Sequence, residues 1–117
     1  MKLRTIVFKV RNLETAQQFW QQFLNQTPRV VVNGEWSEFR LGDARLGLML
    51  VDEKDSFVGS NCTPVFEYTD MEIHYYIDKA KSLGAEVVYE GLSDPKVKGV
   101  ILRDPVGNEF ELSRLHA

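Results

Sequence analysis

The sequence holds one cysteine, Cys62, among its 117 residues. A lone thiol excludes an internal disulfide and any zinc site built from four thiolates. No apolar run comes near the roughly 20 residues that a membrane-spanning helix requires. At the N-terminus Lys2 and Arg4 supply charge, but only Thr5-Ile6-Val7-Phe8 stands before Lys9. That run is too short for the apolar core of a signal peptide, so a cytoplasmic protein is expected. Neither charge dominates: 17 acidic against 14 basic residues leave a formal net charge of -3, with no block of like sign. Binding a phosphate backbone demands a basic face, so neither nucleic acid nor a membrane is an expected partner. What the chain does have is ordinary. Hydrophobic residues at 44% and charged ones at 26% suit a soluble globular protein. The length supports one core and no more.

Residues 3–10 alternate as a strand, with Ile6, Phe8 and Val10 on one face and Thr5, Val7 and Lys9 on the other. Asn12 offers its side-chain oxygen to a helix start. Leu13, Ala16, Phe19, Trp20, Phe23 and Leu24 then form a broad apolar stripe. Pro28 marks the end of that helix, because the residue before a proline resists helical angles. Residues 29–32 read as a strand, and Asn33-Gly34 is a strong hairpin signal. Strands at 36–41 and 46–51, joined through Gly42-Asp43, complete a β-α-β-β-β unit.

The order then repeats. A strand at 65–69 leads to Asp70 as a helix cap, and Ile73, Tyr76, Ile77, Ala80 and Leu83 make a second stripe. Gly84 suits the left-handed position that closes a helix. Strands follow at 85–89, 97–103 and 109–113. Leu13/Ile73, Ala16/Tyr76, Trp20/Ala80 and Phe23/Leu83 are each 60 residues apart, and Leu46/Asn108, Leu48/Phe110 and Leu50/Leu112 are 62 apart. Such a repeat means a duplicated supersecondary unit. The expected fold is therefore α+β: one domain over 1–117, with two tandem βαβββ modules (1–51 and 64–117) and a polar linker (52–63). Each module has a single helix for a four-stranded sheet, so one sheet face stays uncovered. The two mixed sheets are expected to curve around a central cleft lined by those faces, where small ligands bind.

Three stretches give the chain a family resemblance. Lys9-Val10-Arg11-Asn12-Leu13-Glu14-Thr15-Ala16-Gln17-Gln18-Phe19-Trp20 resembles the strand-to-helix passage of the vicinal oxygen chelate superfamily. That group includes glyoxalase I, extradiol dioxygenases, fosfomycin-resistance enzymes and bleomycin-resistance proteins. Leu83-Gly84-Ala85-Glu86-Val87 resembles the end of its second helix. Asp104-Pro105-Val106-Gly107-Asn108, running into Glu109-Phe110-Glu111-Leu112, is similar to the turn before its last strand. Membership does not name a reaction. Metal-using members take a ligand from the first and last strands of each module. By resemblance those positions fall on Thr5, Met49, the stretch 63–65 and Glu111. Only Glu111 is a good ligand, whereas a catalytic divalent ion takes about three imidazole, carboxylate or thiolate groups. No metal and no cofactor are expected. A displaced site for a hard cation on Glu67, Glu109 and Glu111 is the alternative. His74, on the polar side of the second helix, and His116, near the C-terminus, read as solvated.

The candidate ligand-binding residues are Thr5, Val7, Lys9, Trp36, Met49, Glu67 and Glu109, with Glu111 as the candidate catalytic base. Trp36, Glu38 and Arg40 share one face of their strand, and Phe39 and Leu41 share the other. Which face lines the cleft stays open at this stage. Facing the cleft, Trp36 offers a stacking surface of the kind that metal-free bleomycin-binding relatives use; facing away, it packs. Cys62 reads as an inert thiol rather than a nucleophile. The leading expectation is a glyoxalase/bleomycin-resistance-like protein that binds a drug or metabolite without a metal, between modules, as a homodimer. The alternative is a lyase, isomerase or dioxygenase-type enzyme with a displaced metal site or with Glu111 as base. A third reading is an assembly module whose open faces serve dimerisation alone.

Overall fold

The computed structural model describes residues 3–32, 34–52, 62–92 and 99–114. Strand β1 (Thr5–Val10) leads into helix α1 (Leu13–Leu24), then β2 (Val30–Val32), β3 (Trp36–Leu41) and β4 (Ala44–Leu50). The second half repeats the order as β5 (Val65–Tyr68), α2 (Asp70–Ser82), β6 (Glu86–Glu90), β7 (Gly99–Arg103) and β8 (Glu109–Arg114). Each half builds a four-stranded sheet, ordered β1-β4-β3-β2 and β5-β8-β7-β6. In both, the first strand lies parallel to the last and the other pairs are antiparallel. This is the doubled βαβββ, α+β architecture expected from the sequence. Most of the linker, 53–61, lies outside the described residues, as do Asn33 of the first hairpin and the expected start of β7 at 97–98.

Caps, more than apolar stripes, fix where the helices begin. Asn12 Oδ1 accepts the Thr15 N–H at 3.0 Å and starts α1 as expected. Helix α2 is capped by Thr69, whose hydroxyl oxygen accepts the Glu72 N–H at 3.3 Å, and not by Asp70, its first helical residue. Asp70 and Glu72 instead place negative charge in the first turn, against the positive end of the helix. The two caps, Asn12 and Thr69, are 57 residues apart, not the 60 that the stripes suggested. A slip of three residues keeps a stripe nearly in phase at 3.6 residues per turn, so periodicity cannot detect it. Helix α1 closes on Asn25 (φ 52°), three residues before Pro28. Asn is one of the few side chains that visits this left-handed region readily. Strand β4 opens at Ala44, ahead of the apolar run, because β3 and β4 stay paired down to Leu41 and Ala44 across the Gly42-Asp43 turn.

One core serves both halves. Phe8, Phe39, Leu46 and Leu48 of the first sheet and Phe110 and Leu112 of the second are all buried with α1. Trp20 joins them: its ring centroid stands 5.9 Å from Phe8, 6.1 Å from Phe66 and 4.9 Å from Phe110. Aromatic pairs at such distances contribute about 0.5–1.5 kcal/mol each beyond the area they bury.

The turn at 104–108 completes the joint. Asp104 Oδ1 accepts the N–H groups of Val106 at 3.1 Å and Asn108 at 2.8 Å, while Oδ2 accepts the indole N–H of Trp20 at 3.0 Å. Asn108 Nδ2 donates to the carbonyl of Lys9 at 3.3 Å. The Asp-Pro-Val-Gly-Asn stretch therefore ties the second sheet to α1 and β1 of the first module. Burial pushes the Asp104 carboxyl above its ordinary value, and its N–H donors pull partly against that.

Candidate functional site

Strand pairing decides which face of the first sheet is bare. Ser37 and Phe39 pair with Leu48 and Leu46 and are buried with them. Alternation then sends Trp36, Glu38 and Arg40 to the opposite, helix-free face. Three rows of side chains cross that face. Lys9, Met49, Trp36 and Val32 form the first, and Val7, Gly47, Glu38 and Val30 the second. Thr5, Arg45 and Arg40 form the third.

Trp36 leans across the rows and lies over Gly47. A Cβ at position 47 would stand 2.2 Å from Trp36 Cη2 and 2.6 Å from Cζ2, so only glycine admits the indole there. Next to it, Glu38 is 5% exposed, and its Oε2 meets Arg45 Nη1 at 3.3 Å. A carboxylate taken this far from water requires such a partner.

These side chains frame a cavity of about 440 Å³. Val7, Val30, Val32 and Trp36 supply its apolar wall, and Arg4, Thr5, Glu38 and Arg45 its polar one. The three valines are 43%, 39% and 50% exposed, apolar side chains left in water around the cavity. Such a surface, rimmed by polar groups, is what a ligand-binding hollow looks like.

Of the residues expected from the sequence, Thr5, Val7 and Trp36 meet at this cavity, and Lys9 and Met49 lie in the row that carries Trp36. Met49 is not beside Thr5. Strands β1 and β4 pair Thr5 with Arg45 and Lys9 with Met49. Thr5 and Met49 are thus four residues apart along the sheet, roughly 13 Å at the usual rise of a strand.

The other three belong to the second sheet. Glu111 stands in register between Val65 and Ile101, and its side chain crosses Gly99, where an added Cβ would be 3.1 Å from its Cγ and Cδ. Glu109 is engaged by Arg103 at 3.1 Å. Glu67 is exposed and lines a different cavity, about 500 Å³, where the two halves meet beside Ile6, Arg40, Phe66 and Tyr68. Burial, then the neighbouring Tyr76 and Glu72, push the Tyr68 phenol up to about 12. Among the described residues no three of His, Cys, Asp and Glu are grouped so as to hold a metal, so the displaced three-carboxylate site is not assembled there. His74 and Cys62 are exposed, and His116 lies outside the described residues.

The sequence reading did not single out Val30, Val32, Gly47 or Arg45, nor the burial of Glu38. Alternation with Trp36 already placed Glu38 on the right face. Alternation with Met49 likewise places Gly47 and Arg45 on that face of β4, but only the pairing with β3 brings them under Trp36 and beside Glu38.

A duplicated βαβββ chain that leaves one face of its sheets bare, with a ligand-sized hollow on it, defines a member of the vicinal oxygen chelate superfamily. Within it, the chain belongs to the glyoxalase-like domain family, which it matches over residues 5–113. Its fold is similar to the solution structure of protein ATC0852 from Agrobacterium tumefaciens, with a TM-score of 0.82, 19% identity, and coverage of 100% of this chain and 99% of that one. A glyoxalase-related enzyme from Fulvimarina pelagi gives a TM-score of 0.80 at 16% identity, covering 98% of this chain and 88% of that one. The fosfomycin resistance protein FosX from Listeria monocytogenes gives 0.77 at 21% identity, covering 98% and 91%. Identities this low carry the fold and not the chemistry. No curated protein matches the sequence significantly. Among the described residues, no helix is long and apolar enough to cross a membrane.

Proposed function

We propose that this glyoxalase-like protein binds a small organic molecule, a drug or metabolite, on the helix-free face of its first sheet and without a metal. The observation that carries this reading is the indole of Trp36 laid over Gly47 beside three water-exposed valines. A flat aromatic floor with apolar walls and a few placed charges is the usual make-up of a small-molecule site. The donor chemistry supports metal independence. A divalent ion between the first and last strands would meet Thr5 and Arg45 in one sheet and Val65 and Glu111 in the other. A hydroxyl, a guanidinium and an isopropyl group around a single carboxylate do not fit such an ion.

The reading includes a homodimer. Strands β2 and β6 each close one edge of their sheet, and Val31 and Tyr89 there are 57% and 51% exposed. Apolar edges of this kind favour pairing with another chain. Light scattering is expected to give twice the chain mass, and a sharp monomer peak would remove this part of the reading.

Tryptophan resonances test the binding itself. The chain has two tryptophans: Trp20 is fully buried and Trp36 only half so. A compound that raises the melting temperature is expected to move the indole N–H resonance of Trp36 and leave that of Trp20 in place. A broad screen in which no compound does both overturns the proposal. A second reading takes Glu111 as a base, supported by its seat between Val65 and Ile101.

A further inference from the structure

Resting on that reading, we infer that the Trp36 cavity selects an organic anion: a flat apolar body that carries a carboxylate. The charge around the hollow is unbalanced. Two guanidiniums, Arg4 and Arg45, face one carboxylate, Glu38. This runs against the net charge of the chain, which is -3. A positive hollow on a negative protein concentrates field where the ligand sits, because low-dielectric walls focus it.

Arg45 is also held ready. It stands in register between Thr5 and Arg40, and its Nη1 is tied to the buried Glu38. That single contact engages one nitrogen of a planar group with five N–H donors. The side chain remains 29% exposed and lines the cavity. Glu38 thus fixes the guanidinium instead of using it up, and a fixed guanidinium suits the two oxygens of a carboxylate. Arg4, exposed at the rim, adds a second positive charge with no defined partner geometry. The body of the ligand is set by the other wall. Trp36, with Val7, Val30 and Val32, presents a flat apolar surface and no side-chain acceptor, which suits an aromatic or extended unsaturated group. A positively charged ligand would lose its hydration against Arg4 and Arg45, and the cavity disfavours it.

The test compares three probes of one shape: naphthalene-2-carboxylate, naphthalene-2-carboxamide and 2-naphthylmethylammonium. Each is titrated at low ionic strength while the Trp36 indole N–H resonance is followed. The carboxylate is expected to bind at least about tenfold tighter than the carboxamide, as a charge-assisted pair allows, with the ammonium weakest. Added salt should narrow the difference. Arg45→Gln should bring carboxylate and carboxamide to within about twofold of each other. Should Arg45→Gln fail to fold because Glu38 is orphaned, the double variant Glu38→Gln/Arg45→Gln removes both charges. Arg4→Gln, at the exposed rim, should reduce the preference in part. Equal binding of carboxylate and carboxamide, or tighter binding of the ammonium, overturns the anion inference and leaves small-molecule binding standing. Failure of all three probes to move the Trp36 resonance overturns the anion inference, while failure of the broad screen overturns small-molecule binding itself.

Discussion

Trp20 of the first helix donates its indole N–H to Asp104 of the last turn at 3.0 Å, across 84 residues of sequence, with both side chains buried. The bond joins the two modules at the point where their cores merge. It also gives a structural reason for the Asp-Pro-Val-Gly-Asn stretch, which serves the joint rather than the ligand. Trp20→Phe leaves the buried Asp104 oxygen without its donor and removes part of the aromatic contact with Phe110. A loss of about 2 kcal/mol is expected, measured by urea denaturation. A loss below about 0.5 kcal/mol, the level of an ordinary surface change, would show that the modules do not depend on this bond.

Asp104 also makes stability depend on pH. Burial raises its carboxyl above the ordinary value, so the folded chain holds this proton more tightly than the unfolded one. Its contribution is therefore largest at low pH and is lost as the pH rises from the ordinary carboxylate value through the folded value. A carbon-detected NMR titration should place the Asp104 midpoint above about 3.9, the usual value. Asp104→Asn should remove that part of the stability slope. A midpoint below the usual value would reverse the sign and contradict the burial argument.

Gly47→Ala tests the aromatic floor. The new methyl cannot coexist with an indole carbon 2.2 Å away, so Trp36 must swing off the sheet. The fold should survive, because a partly exposed side chain can move without opening the core. Trp36 emission should shift to the red, and ligand affinity should fall by about tenfold or more, equivalent to about 1.4 kcal/mol. Unchanged affinity would place the ligand elsewhere.

Glu111→Gln separates the two functional readings. The residue lies on the helix-free face of the second sheet and lays its Cγ and Cδ over Gly99. Cooperative melting and binding at the Trp36 cavity should both be retained. Loss of a turnover with binding intact would favour Glu111 as a base, and loss of cooperative melting would make it a structural residue.

The fold was legible because the duplicated order and the apolar stripes are local signals, repeated in each half. The rest depended on features that periodicity does not encode. Thr69 rather than Asp70 starts α2, since both can cap and only backbone angles choose between them. Alternation placed Trp36, Glu38 and Arg40 on one face but could not say which face was bare; the pairing of Phe39 with Leu46 decides it. The candidate site was half visible. Thr5, Val7 and Trp36 meet as one group, while Met49, a ligand position only by resemblance, pairs with Lys9 and not with Thr5 in the parallel register of β1 and β4. Arg45 and Gly47 alternate with Met49 on β4, but their contacts with Glu38 and Trp36 are set by strand pairing and by a side-chain rotamer that the sequence pattern does not encode.

Binding in the presence of a strong chelator tests the central claim most directly. Naphthalene-2-carboxylate, or any stronger compound from the thermal screen, is titrated with excess EDTA while the Trp36 resonance is followed. The account predicts saturable movement of Trp36, an unmoved Trp20, and the same affinity with or without chelator. Binding that disappears with EDTA and returns with a divalent ion would contradict it.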